Sequence, residues 1–151
     1  MNKNSLFFKK LTKEDLKDLN ELLQNLSIKS KKFFHPHRFD LKTLYKLCEN
    51  NRDYYFVMKL EKKIIGYSFL RFFGYETPSF GCCIRNGYEK KGYGMILTKW
   101  TIEKAKKLGF NKVILKTYKE NIPAQKIYKK IGFKIIGETE DKKQYKMELI
   151  L

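Results

Sequence analysis

The stretch GYEKKGYGMILTKW, residues 87–100, places three glycines and two lysines within eight residues and then runs into a helical pattern. Before it, PSFGCCIR (78–85) reads as a strand; after it, NKVILKTY (111–118) reads as a buried strand by its Val-Ile-Leu centre. Strand, helix, strand is a crossover unit with parallel strands, and its ligands gather at the carboxyl ends of those strands. A plain turn needs only glycine. A phosphate seat needs inward-facing N–H groups, no side chains in the way and positive potential. Gly92 and Gly94 permit close approach, the helix start offers unpaired donors and partial positive charge, and Lys90 and Lys91 add full charges. This segment alone leaves both readings open.

Working outward, SLFFKKL (5–11) reads as a first strand, followed by a helix over 13–26 with Thr12 as N-cap and a stripe of Leu16, Leu19, Leu22 and Leu23. Residues 30–39 are expected to be irregular around Pro36. Asp40 caps a second helix whose Leu41, Leu44, Tyr45 and Cys48 share one face. DYYFVMKL (53–60) and KIIGYSFLRFF (63–73) read as a hairpin. The pattern from Gly92 to Gly109 is helical, though Thr101 and Lys104 fall close to its apolar stripe. IPAQKIYKKI (122–131) is a short helix with Pro123 in its first turn and Gly132 at its end, and a second hairpin turns at Asp141–Lys142. The order β-α-α-β-β-β-α-β-α-β-β predicts a single α/β domain over residues 1–151: one mixed, mostly antiparallel sheet, flanked by helices, with a β-α-β crossover.

The 151 residues suffice for a sizeable core, and 42% hydrophobic and 15% aromatic content argues for a folded chain. No apolar run is long enough to cross a bilayer, so no membrane partner is expected, and the N-terminus lacks signal-peptide features, so the expected location is cytoplasmic. The net charge of +17 invites a nucleic-acid reading, but the basic residues are 29 lysines and only 4 arginines, spread from end to end. Nucleic acid is therefore a disfavoured partner; the charge still steers anionic ligands inward. Cys48, Cys82 and Cys83 match neither a disulfide framework nor a metal spacing, and His35-Pro36-His37 is too close and isolated to be a metal site.

The second constellation is NIPAQKIYKKIGFK (121–134), with Asn121, Ala124, Tyr128, Gly132 and Phe133 at fixed intervals. With the turn at Gly92 and Gly94, at the right separation, the chain resembles the GNAT N-acetyltransferase family, most strongly over residues 80–137. The resemblance implies acetyl-CoA as acyl donor and direct transfer to an amine. It implies a pyrophosphate seat formed by Glu89, Lys90, Lys91, Gly92, Tyr93, Gly94 and Met95. It further implies pairing of the pantetheine arm with backbone groups of Cys82, Cys83 and Ile84, a cofactor contact from Asn121, and Tyr128 near the sulfur as cofactor contact and acid to the departing thiolate. Packing on the sheet for Tyr128 and helix capping for Asn121 stay open beside those roles.

Two positions depart from the pattern. Glu89 stands where the family has Gln or Arg, and a carboxylate beside pyrophosphate is unfavourable unless it turns away or finds a cation. Lys116 stands where some members that act on protein N-termini carry a basic glutamate. Glu76, just ahead of the presumed cofactor strand, is the first candidate for general base; His35 and His37 are others, and a water chain could replace them all. The expected acceptor is a small-molecule primary amine such as an amino sugar or a polyamine-like amine. A protein lysine or N-terminus is the alternative, and a catalytically silent acyl-CoA- or nucleic-acid-binding module is the alternative of another class. Assembly as a homodimer is left open.

Overall fold

The computed structural model describes residues 5–73 and 76–151. Seven strands form one sheet in the order β1-β2-β3-β4-β5-β7-β6. They are β1 (Leu6–Lys10), β2 (Tyr54–Leu60), β3 (Lys63–Arg71), β4 (Ser79–Ile84), β5 (Lys112–Tyr118), β6 (Lys134–Glu138) and β7 (Gln144–Ile150). All neighbours are antiparallel except β4 and β5, which are parallel. The helices are α1 (Leu16–Gln24), α2 (Ile28–Phe33), α3 (Leu41–Glu49), α4 (Tyr93–Lys107) and α5 (Ile122–Ile131), with a 3-10 turn at Lys13–Asp15 ahead of α1.

Alternation along the strands sends side chains to two cores. On one face Tyr55, Val57, Tyr67 and Phe69 meet Leu19, Leu22, Leu23 and Leu44 of α1 and α3. On the other, Phe56, Leu70, Phe80, Val113 and Met147 meet Ile102 and Ala105 of α4. β3 is covered on both faces, which is why Ile64 to Leu70 reads as a continuous run. The polar residue on the α4 stripe is satisfied: Thr101 is fully buried and shares a 2.8 Å hydrogen bond with Ser68 of β3.

Two local expectations are corrected. Residues 28–33 form α2, capped by Ser27, whose hydroxyl accepts from the Ser30 N–H at 3.1 Å; only 34–40 are irregular. α2 buries no residue, so it carries no apolar period to read. In α3 only Leu44 is fully buried, while Leu41 and Tyr45 are 53% and 43% exposed, because the nine-residue helix offers α1 one narrow stripe. The Asp40 cap is present: its carboxylate accepts from the Thr43 N–H at 2.7 Å.

The feature that positions the site lies between β4 and β5. They pair only at Ser79 and Ile114, where the Ile114 N–H donates to the Pro78 carbonyl at 3.0 Å. Beyond that point the strands diverge, and a cleft opens toward the start of α4.

Candidate active site

Main-chain direction in the cleft follows from alternation. The Arg85 N–H bonds Ile65 of β3, while the Pro78 carbonyl bonds β5. With regular β3–β4 register throughout, the main-chain groups of Cys83 face β3, and those of Cys82 and Ile84 face the cleft. The expected set of Cys82, Cys83 and Ile84 is thereby narrowed: the main chain of Cys83 is already committed. On β5 the same parity turns the main chain of Lys116 toward the cleft. Two strand edges without mutual partners, facing each other, suit an extended amide-bearing chain inserted between them.

The cleft, about 400 Å³, runs from the turn before α4 to Asn121 and Tyr128 of the second motif. Gly92 is the N-cap of α4 and adopts φ 89°, a left-handed conformation natural to glycine; Lys90 is also left-handed at φ 61°. The chain thus coils at the end of α4, where the first-turn N–H groups have no acceptor within the helix. Glu89, Lys90, Gly92, Gly94 and Met95 line the cleft; Lys91 and the buried Tyr93 do not. The Glu89 carboxylate is held against the α2 wall of the cleft, where the Ser30 hydroxyl donates to it at 2.9 Å. Its backbone stays with the turn, so the departure at this position leaves the donor set intact. Glycines, helix start and lysines fit a pyrophosphate.

At the other end, the Tyr128 ring packs edge-on against Phe80 (centroids 6.1 Å apart) and Phe133 (5.7 Å). Burial, and then the adjacent Cys82 thiol, hold the phenol's pKa well above its usual value, so it stays a proton donor. The Cys82 thiol is itself pushed up to about 11, chiefly by burial, and is a poor nucleophile. Asn121 occupies the N-cap position of α5, yet its side chain makes no capping bond; it lines the cleft instead. Gln125, which sequence reasoning passed over, ties the β5–α5 turn by donating to the carbonyls of Tyr118 and Lys119 at 2.9 and 2.8 Å.

A second hollow of about 620 Å³ adjoins the cleft and shares Phe33, Phe34, Phe80, Gly81, Lys116 and Tyr118 with it. The structure separates the candidate bases. Glu76 is exposed and lines neither space. His37 is committed: Nδ1 meets the Arg38 carbonyl at 2.8 Å and Nε2 the Tyr67 hydroxyl at 2.9 Å, and burial lowers its pKa. His35 lines the hollow, its Nε2 3.1 Å from the Tyr118 hydroxyl. Arg71, not anticipated as a site residue, lines it too. Its only sequence signal was scarcity, as one of 4 arginines among 33 basic residues.

Solved structures share this architecture. An acetyltransferase of the GNAT family from Streptococcus pneumoniae is 20% identical, with 97% of this chain and 99% of that one covered, at a TM-score of 0.78. A spermidine N-acetyltransferase from Vibrio cholerae, in complex with CoA and spermine, is 21% identical over 97% and 96% of the chains, at 0.81. A ribosomal-protein-S5-alanine acetyltransferase from Vibrio fischeri is 16% identical over 99% and 95%, at 0.82. At these identities the likeness establishes the fold. The family follows from sequence: the acetyltransferase (GNAT) family model matches residues 19–133, a span holding both the glycine turn and the Asn121–Phe133 motif, and the chain belongs to that family of acetyl-CoA-dependent N-acetyltransferases.

Proposed function

We propose that this enzyme passes the acetyl group of acetyl-CoA directly to a primary amine on a small molecule. The observation that carries the reading is the cleft between β4 and β5, with its paired free strand edges, a coiled glycine turn at one end and a protonated phenol at the other. Acetyl-CoA supplies an activated acyl carbon and a thiolate leaving group. The turn from Glu89 to Met95 holds the pyrophosphate, and the main chains of Cys82 and Ile84 hold the pantetheine arm. A strand N–H in the cleft donates to the oxyanion as the C–N bond forms. Tyr128 gives its proton to the sulfur as the C–S bond breaks, and the proton lost by the attacking nitrogen leaves through the hollow, where His35 stands. Asn121 contacts the cofactor arm.

The hollow has the size of a small-molecule site, and residues 33–36, at the end of α2 and just after it, line one side of it, which supports a small acceptor over a protein chain. One fold neighbour is a spermidine N-acetyltransferase and another a ribosomal-protein-S5-alanine acetyltransferase, so the fold accommodates both classes. The test is Tyr128→Phe. We expect acetyl-CoA to bind with unchanged affinity by calorimetry while kcat falls about 10²-fold or more, in the range of a lost general acid. Unchanged kcat would remove Tyr128 from the chemistry, and a wild-type protein that binds no acetyl-CoA would remove the whole reading.

A further inference from the structure

We propose that the acceptor amine carries an anionic oxygen group, a carboxylate or phosphate, held by Arg71 and the lysines beside it; this rests on the acetyltransferase reading above. Arg71 ends β3 at the hollow. Its guanidinium lies 5.5 Å from the centre of the Phe69 ring and 4.9 Å from that of Phe73, and one N–H donates to the Pro36 carbonyl at 2.9 Å. Its Nε is buried without a hydrogen-bond partner. Among the described residues Arg71 makes no ion pair, whereas buried Arg85 meets Asp18 at 2.6 Å. Two rings, the Pro36 carbonyl and the Tyr55 hydroxyl fix the guanidinium; with five N–H donors and no carboxylate partner among the described residues, it is pre-organised for an oxyanion.

The lysines agree. Lys116 of β5 and Lys146 of β7 stand directly opposite each other and both line the hollow. Like charges placed so are destabilising, and neither lysine has an ion pair among the described residues. Lys112 also lines it, and the carboxylate near it, Glu148, is 3.6 Å away and does not reach the hollow. No Asp or Glu is among the described lining residues. A lysine-rich chain puts lysines on every surface; it does not explain the missing carboxylates or the fixed, unpaired arginine. Among the charged residues described in the lining, a polyamine would meet only cations. An amine with an anionic tail would be held, and the same cations would lower the pKa of its ammonium, raising the fraction of neutral nucleophile without a dedicated base. Arg71 pairs with Ser79 on β4, three residues from Cys82. At about 3.3 Å per residue the anion and the nitrogen stand on the order of 10 Å apart or less.

Three amines of equal length test this: 6-aminohexanoate, cadaverine and hexylamine, with kcat/KM read as CoA release. We expect 6-aminohexanoate to exceed cadaverine about 10- to 100-fold at low salt, the range of a charge-assisted contact, and Arg71→Gln to abolish most of that preference while acetyl-CoA affinity holds. Lys146→Gln, at an exposed position, should reduce the preference without perturbing the fold. 6-Aminohexyl phosphate against 6-aminohexanoate identifies the anion. Cadaverine used as well as the acid, or a preference that survives in both variants, overturns the proposal. Acetyl-CoA binding without turnover of either anionic amine overturns it alone; absence of acetyl-CoA binding overturns the reading beneath it as well.

Discussion

A methyl group added at position 92 and one added at position 81 should do harm in opposite ways. Gly92 is exposed with φ 89°, so alanine there costs about 1 kcal/mol of backbone strain and leaves the core untouched. Gly92 lines the cleft, so a side chain there is expected to hinder the seat. Gly81 has ordinary φ, but a Cβ there would fall well inside van der Waals contact of Cζ of Phe69. Phe34, Tyr55 and Tyr67 stand around that ring with centroids 6.1, 6.2 and 6.0 Å away, so it can give way only by shifting into the hollow it lines. We expect Gly92→Ala to weaken acetyl-CoA binding at least 10-fold with a small change in Tm. Gly81→Ala should lose about 1–3 kcal/mol, several degrees of Tm for a chain of this size. Thermal melting and calorimetric titration of both variants check the contrast; equal effects on both readouts would undo it. Gly92 was legible because strand, glycine and helix are contiguous in sequence. Gly81 was not, because its constraint is a ring twelve residues away on the neighbouring strand.

At the scale of elements, α2 is the part that sequence reading missed and the site depends on. It has six residues and none is buried, so no period of apolar residues announces it, and it is held by contacts to distant segments. Ser30 bonds Glu89, 59 positions away, and Lys32 meets Glu120, 88 positions away. The second pair is exposed on both sides and contributes little. The first decides where a carboxylate sits relative to the proposed pyrophosphate seat. The strands and the cofactor crossover were legible because each is local: an alternating run, a capped helix, a glycine turn. The acceptor side was legible only in part: His35 was a candidate from sequence, but Arg71 and Lys146 join it in lining the hollow only once the sheet forms. The Ser30–Glu89 contact makes a specific prediction. Ser30→Ala frees the carboxylate, so acetyl-CoA affinity should fall several-fold; Glu89→Gln in the same background should restore it by removing the charge. Calorimetric Kd values for the two singles and the double form a cycle. Additive effects would show that the contact does not govern the seat.

For the molecule as a whole, a net charge of +17 makes every buried carboxylate matter, because protonating one adds to an existing excess of positive charge. Asp15 is the clearest case. It is 1% exposed and joins β1, β2 and the start of α1: Lys9 bonds one carboxylate oxygen, Lys59 approaches the other at 2.9 Å, and the Thr12 N–H donates at 2.9 Å. Burial alone would raise its pKa, but the two lysines and Thr12 outweigh it and lower the value to about 2. With the folded pKa below the unfolded one, the unfolded chain binds the proton more readily. The stabilisation is therefore complete above about pH 4, the unfolded carboxyl's range, and is lost as pH falls toward 2. The shift corresponds to about 2 kcal/mol. Asp15→Asn should lower the unfolding free energy by about that amount at pH 7, more if the two lysines are left facing each other unpaired. The gap between wild type and variant should then close as the pH approaches 2. Urea unfolding of both proteins across pH 2–7 measures it. A gap that stays constant down to the lowest pH would mean that packing, not charge, ties α1 to the sheet.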